Sequence, residues 1–412
     1  MEITAIATGG SSSTENTRTN GAPGTVFYSV RESDDLTLEA NIVVDNHNTI
    51  TAAAVLLNDT VLYPDLMSVV IQGKAVILGE QLVLPFSSTC KAKSFTINYD
   101  TARCSSLTIH HGEVVGNVGF PSGPLPGEVK RIEMQADIVH ILNGSYVYGS
   151  SVVSLNSVLL HLDRTSNIEY SEQATVYSRQ DIRLWGSIYQ SGPSLNSCWN
   201  ATVISDAFCD SVDSVTGSWT GANPYAGVLA IRSDRNMSIG AEAALIGPAV
   251  ILCADHAIYT AGSTVQSAGR GCSPNHGYGA GGVCTDYPCG GGGGFYGVGG
   301  NGGNGGDVAS GGVSYGRYNS SAGSKQVLYM GSGGGCVQCT EKSKIYQGFG
   351  GGLVMLVSIG SIKMDGTVTS SGQDVTGGTL DGSGAGSGGS VLVYTPILTG
   401  TTIKLRHVCY LL

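Results

Sequence analysis

The sequence predicts an all-β chain, a right-handed parallel β-helix (a solenoid) carrying a packed glycine-rich module of polyglycine-II type. Three observations predict it. Short runs rich in Val, Ile, Leu and Thr recur from Asp35 to Tyr189, separated by Gly, Asn, Asp or Ser, as strands and turns require. No stretch sustains the 3.6-residue apolar period of a capped helix. From Gly271 to Gly316, twenty of 46 residues are glycine, yet this run also holds aromatics, cysteines and a short repeat foreign to a flexible linker.

Taken in order, residues 1–30 hold the strand EITAIA and a Gly/Ser/Thr-rich loop. The β runs that follow, mostly four to nine residues long, include LTLEANIVV, MSVVIQGKAVIL, SLTIHHGEVVG, SVVSLNSVLLHL and DIRLWGSIYQ. A propeller would need a blade repeat, which is not found, and sandwiches of this length would need linkers, none of which precedes Ser191. A solenoid needs only loose repetition. The shape apolar strand, Gly, apolar strand, turn recurs in SLTIHHGEVVG, RNMSIGAEAALIG and SIGSIKMDGTVTSSG. The expected organisation is therefore β-helix coils over 1–189, a disulfide-closed loop over 190–227, coils over 228–270, a glycine-rich module over 271–352, and coils over 353–412.

Within the module, Asn301, Asn304 and Asp307 recur every third residue. Three residues per turn is the polyproline-II period, which would line these side chains along one edge and leave bare glycine on the others. Strands without Cβ atoms can then pack closely and bond through their backbones. Gly302 to Asp307 also matches the start of a calcium nonapeptide, although such a site needs consecutive turns and only one copy is present. No metal or other cofactor is therefore expected.

Composition narrows the setting. Only 13% of residues are charged, and the net charge of −10 argues against nucleic acid, which needs a basic face. Five sequons, at Asn58, Asn143, Asn200, Asn236 and Asn319, are expected to carry N-linked glycans. Among eleven cysteines, Cys90 with Cys104 and Cys198 with Cys209 form local pairs suited to an oxidising compartment. Cys272, Cys284, Cys289, Cys336 and Cys339 bracket the glycine region and are expected to pair among themselves. A Cys336–Cys339 bridge would close a tight ring, so Cys284 or Cys289 is an alternative partner. Zinc bound by Cys284/Cys289 and Cys336/Cys339 is the rival reading. Cys253, inside the apolar run AVILCADHAIY, reads as a buried thiol. There is no signal-peptide pattern and no apolar stretch long enough to span a membrane. Both ends, EITAIA and IKLRHVCYLL, read as uncapped strands cut from a longer secreted chain. Such ends favour end-to-end stacking into a filament, with Cys409 a candidate intermolecular link.

A set of blocks adds a resemblance. The turn Asn20 to Thr25 (NGAPGT) is followed by VQSAGRGC, then GGGGGFYGVGGNGGNGGD (Gly290 to Asp307) and GGVSYG (Gly311 to Gly316). GSGGG (Gly331 to Gly335), GGGLVML (Gly350 to Leu356), IKMDGTVTSSGQ and GSGAGSGGSVLV (Gly382 to Val393) complete the order. In this order they resemble the large glycine-rich, β-helix-like surface proteins of plants, algae and oomycete-type protists. The resemblance implies a secreted, surface-exposed protein of extended β architecture and implies no reaction. The Cys284/Cys289 and Cys336/Cys339 insertions depart from the plant pattern.

Enzymatic chemistry finds little support. Of the acidic clusters, Asp34-Asp35 lies at a strand entrance and Asp206, Asp210, Asp213 lies in the cysteine loop without a basic neighbour, and the tracts of pectin-cleaving β-helices are missing. His110 and His111, as neighbours on a strand, would face opposite ways. The P-loop does not occur. The expectation is a non-enzymatic, extracellular structural glycoprotein that self-assembles into a surface fibre, hair or wall layer. A polysaccharide-binding module using exposed tyrosines (19 Tyr against 7 Phe) is the alternative, and a β-helix polysaccharide lyase or hydrolase the second alternative.

Overall fold

The computed structural model describes residues 131–142, 146–191, 227–284, 289–304, 307–315, 325–336, 348–375 and 383–400. It also describes the separate strands at 24–31, 38–45, 55–56, 66–72, 76–79, 91–93, 96–98, 106–110, 113–116, 200–204, 404–406 and 409–411. Among these residues every regular element is a β-strand, and there is no helix. The chain forms two compact units, the first of residues 1–191 and 233–243, the second of residues 192–232 and 244–412.

In the first unit, Gly24–Arg31 pairs antiparallel with Leu38–Asp45, and every later pairing of its long ladders is parallel. Register carries one apolar position from strand to strand: Ile42, Val69, Leu107, Val139, Leu160, Ile182 and Met237 are successive partners. A second row runs Ile77, Val114, Val147, Ile168 and Ile188. The described members of both rows are at most 1% exposed. Because side chains alternate along a strand, a one-residue slip would turn a whole row into solvent, so burial fixes the register.

Several strands run longer than the expected four to nine residues. Tyr146–Leu162 has 17 and Asn167–Leu184 has 18. The ladder between them shifts register between Ser157 and Leu159, a bulge that lets one strand bend without ending. A buried serine marks the bend. Ser178 Oγ donates to the Val158 carbonyl oxygen at 2.6 Å and accepts from the Gln180 N–H, and Ser233 Oγ donates to the Gln180 carbonyl oxygen. Each hydroxyl thus occupies backbone groups that the bend takes out of the ladder.

The second unit repeats the design with three sets of parallel strands. Val250 pairs with Val354, which pairs with Val391; Ala257 pairs with Ile362, which pairs with Leu398. Leu245, Val265, Val368 and Leu405 form the third row, and its first three members are at most 1% exposed. Here too a serine sits at the bend, with Ser358 Oγ donating to the Asp255 carbonyl oxygen. Between Gln266 and Leu353, and again between Thr369 and Ser390, the chain leaves these ladders at the same corner of successive strand sets. Both excursions are glycine-rich. Asn200–Ile204, inside the segment expected as a loop, is a strand paired antiparallel with Lys325–Tyr329.

Candidate functional site

The glycine excursions pack on one another through their backbones. Gly291 N–H donates to Gly282, Gly292 to Gly300, Gly293 to Ala385, and Gly294 returns to Gly279, all at 2.7–2.9 Å. Three consecutive residues therefore bond to three different neighbours, and the fourth comes back to the first. The same step of three links Gly331 to Gly351 and Gly334 to Gly348, Gly384 to Gly335 and Ser387 to Ser332, and Gly386 to Gln373 and Gly389 to Ser370. The approach is too close for side chains. A Cβ built on Gly334 would overlap the Gly384 carbonyl, whereas one on Gly300 would meet nothing within 4 Å.

The Asn301, Asn304 and Asp307 edge does not form. Gly302–Asn304 pairs antiparallel with Asp307–Ala309, so the chain doubles back between Asn304 and Asp307. A hairpin makes cross-strand bonds that a straight strand would have to seek elsewhere, and Asn301 Oδ1 accepts from the Gly311 N–H at 2.8 Å instead of lining an edge. Among the described residues no group of three His, Cys, Asp or Glu side chains is placed to hold a metal ion.

A polar node ties the segments together. Ser332 Oγ donates to Tyr315 Oη at 2.8 Å and accepts from the Gly279 N–H at 2.9 Å, while the Ser332 N–H donates to Ser387 Oγ at 2.8 Å. Tyr315 Oη donates to the Met330 carbonyl oxygen at 2.6 Å. Burial pushes the Tyr315 phenol up to about 12, despite its hydrogen bonds. Around Tyr315 stand Phe295, Tyr278 and Tyr329, with ring centroids 5.0, 5.8 and 5.7 Å away, and Tyr278 and Tyr329 meet edge to face at 5.4 Å. Tyr278 is 66% exposed and Phe295 is buried. Composition pointed to tyrosine in general; it did not single out these four rings, which come from separate segments.

The cysteines resolve in part. Cys284 and Cys289 form a disulfide with each other, Cα atoms 5.3 Å apart, so neither takes Cys336 or Cys339 as partner. Their thiolates are thereby committed, which removes them as zinc ligands. Cys253 is disulfide-bonded and not the buried thiol expected from its apolar run; a half-cystine is as compact and apolar as a thiol, so the run could not tell them apart. Cys272 and Cys336 are disulfide-bonded as well. Asn275, at φ 63°, clasps the Cys336 backbone, its amide donating to the carbonyl oxygen at 2.7 Å and accepting from the N–H at 2.8 Å.

Of the sequons, Asn236 lies exposed at the start of Asn236–Ile239, its amide nitrogen donating to Asp181 Oδ1 at 2.9 Å. Glycosylation replaces one of the two amide hydrogens, so that bond can persist. Asn200 opens a strand, opposite Tyr329 in register. Asn58, Asn143, Asn319, Cys90, Cys104, Cys198, Cys209 and Cys339, like Asp34, Asp35, Asp206, Asp210, Asp213 and His111, lie outside the described residues. His110 pairs in register with Leu142, and Cys409 with Val391, as backbone.

The first unit carries its own row of rings. His140 and His161 are register partners with centroids 5.8 Å apart, and Trp185 meets His161 edge to face at 5.3 Å. Burial lowers both histidine pKa values; for His161 the neighbouring His140 and Arg183 add to the lowering, against Asp163. Trp185 is 43% exposed and covers Gly240, where a Cβ would collide with the indole. Compared with family models, curated proteins and solved structures, the chain matches none.

Proposed function

We propose that this chain is an extracellular structural glycoprotein, a β-helix with a polyglycine-II-like module, that builds a surface fibre or wall layer by self-association. The parallel rows that repeat one apolar position across successive strand sets support the β-helix reading. The single observation carrying the structural role is the junction of Ser332, Tyr315 and Ser387. It joins three separate glycine blocks, GSGGG, GGVSYG and GSGAGSGG, into one backbone-bonded body. A body of this kind offers stiffness and bare backbone edges and few side chains for chemistry, which fits a construction element. The same three blocks are among those whose order carries the resemblance to glycine-rich surface proteins. Negative-stain imaging of native protein tests the reading: fibres or layers are expected, and a monomer at every concentration sinks it. N-glycan release should lower the mass, with Asn236 among the occupied sites.

Trp185, 43% exposed at the end of the row begun by His140 and His161, favours a second reading, a polysaccharide-binding face, because sugars stack on exposed aromatic rings. Titration with soluble wall polysaccharides should then quench tryptophan fluorescence in the native chain and not in Trp185→Ala.

A further inference from the structure

We propose that Tyr278 and Tyr329 form an oxidative cross-linking site, coupled carbon to carbon by a peroxide-dependent haem oxidant. The two residues lie 51 positions apart in sequence, on different segments, yet their rings meet at 5.4 Å between centroids. Tyr278 is 66% exposed, so an external oxidant reaches it, and Tyr329 is half-buried. The third ring, Tyr315, is anchored through its hydroxyl, which donates to the Met330 carbonyl oxygen and accepts from Ser332. Holding two reacting groups in contact replaces a bimolecular encounter by a small rotation of the exposed ring.

Each phenol gives one electron and one proton to the oxidant, leaving two tyrosyl radicals. The radicals join at the carbons ortho to their hydroxyls, forming one C–C bond, and the two displaced ring hydrogens return to the oxygens as the rings regain aromaticity. The protein loses two hydrogens in all, and one hydrogen peroxide is reduced to two waters. The product is a covalent clasp across the glycine module, added to the backbone bonds, the serine–tyrosine node and the ring contacts that join its segments. A clasp between distant residues restricts the unfolded chain as a disulfide does. The inference rests on ring placement alone and is independent of whether the chain builds a fibre or binds a polysaccharide.

The test is treatment of the dilute, native full-length chain with a haem peroxidase and hydrogen peroxide, followed by proteolysis and mass spectrometry. The expected product is a peptide pair joining Tyr278 to Tyr329, two hydrogens lighter than its parts, fluorescent as a dityrosine, and formed in a yield independent of protein concentration. Tyr278→Phe and Tyr329→Phe should each lose it, while Tyr296→Phe, which alters an exposed tyrosine outside the ring cluster, should retain it. Absence of the linked pair in the wild-type chain, or its appearance in cross-linked dimers alone, overturns the proposal.

Discussion

Within the second unit two regions reach close packing by opposite means. The ladder rows, such as Leu245, Val265 and Val368, are held by side chains that exclude water from one another. In the glycine module the side chains are gone, and carbonyls of neighbouring segments occupy the space where Cβ atoms would stand. The first region tolerates added bulk poorly and lost bulk worse. In the second, lost bulk has no meaning, and at the packed positions such as Gly334 an added Cβ collides with backbone. Each glycine there surrenders more conformational entropy than any other residue, so the module depends on every segment being present to bond its neighbour.

Substitutions can break this comparison. The largest effect is expected from Leu252→Ala in the ladder, where the side chain is 1% exposed. A cost of about 3 kcal/mol should appear in denaturant unfolding of the full chain. Next comes Gly334→Ala, expected to cost about 2 kcal/mol through overpacking against Gly384. Gly300→Ala, in open space, should shift stability by no more than ~0.5 kcal/mol, and equal losses at both glycines would refute the packing argument. Ser332→Ala leaves the Gly279 N–H without its acceptor and should cost about 1–2 kcal/mol. Its signature is faster amide exchange confined to the glycine segments.

pH sharpens the contrast with the smallest effects. The Tyr315 phenol is raised by burial, so the folded state disfavours its charged form. Its contribution is whole below the ordinary tyrosine value near ~10 and is lost as pH rises toward the folded value of about 12. His140 and His161 are lowered, so their charged forms are disfavoured on folding. Stability in the first unit is then complete above ~6.5 and declines as pH falls through the folded values. Amide exchange followed against pH should show the glycine module loosening in alkali and the first unit in acid. His161→Gln should flatten the acid limb; an unchanged acid limb would remove the histidines from the account.

Much of the architecture was legible because it rests on local chemistry. Strand composition and the missing helical period point to strands without helix, as found among the described residues. The blocks GGVSYG, GSGGG and GSGAGSGG were visible as blocks, but Tyr315, Ser332 and Ser387 revealed no partners, since a hydrogen bond between distant segments leaves no periodic trace. The NGGNGGD repeat misled for a related reason. Asn and Gly suit an extended three-residue repeat and a tight reversal equally, and pairing of Gly302–Asn304 with Asp307–Ala309 decided for the reversal.

By itself, then, the sequence determined the strand-rich class, the low charge and the requirement for bare glycine, because each follows from what single residues can or cannot do. Which apolar residue stands above which, that Cys284 closes on Cys289, and that Tyr278 meets Tyr329 were decided by the tertiary structure alone. These contacts depend on where the corners of successive strand sets return the chain, and that is a property of the whole ladder and of no single segment.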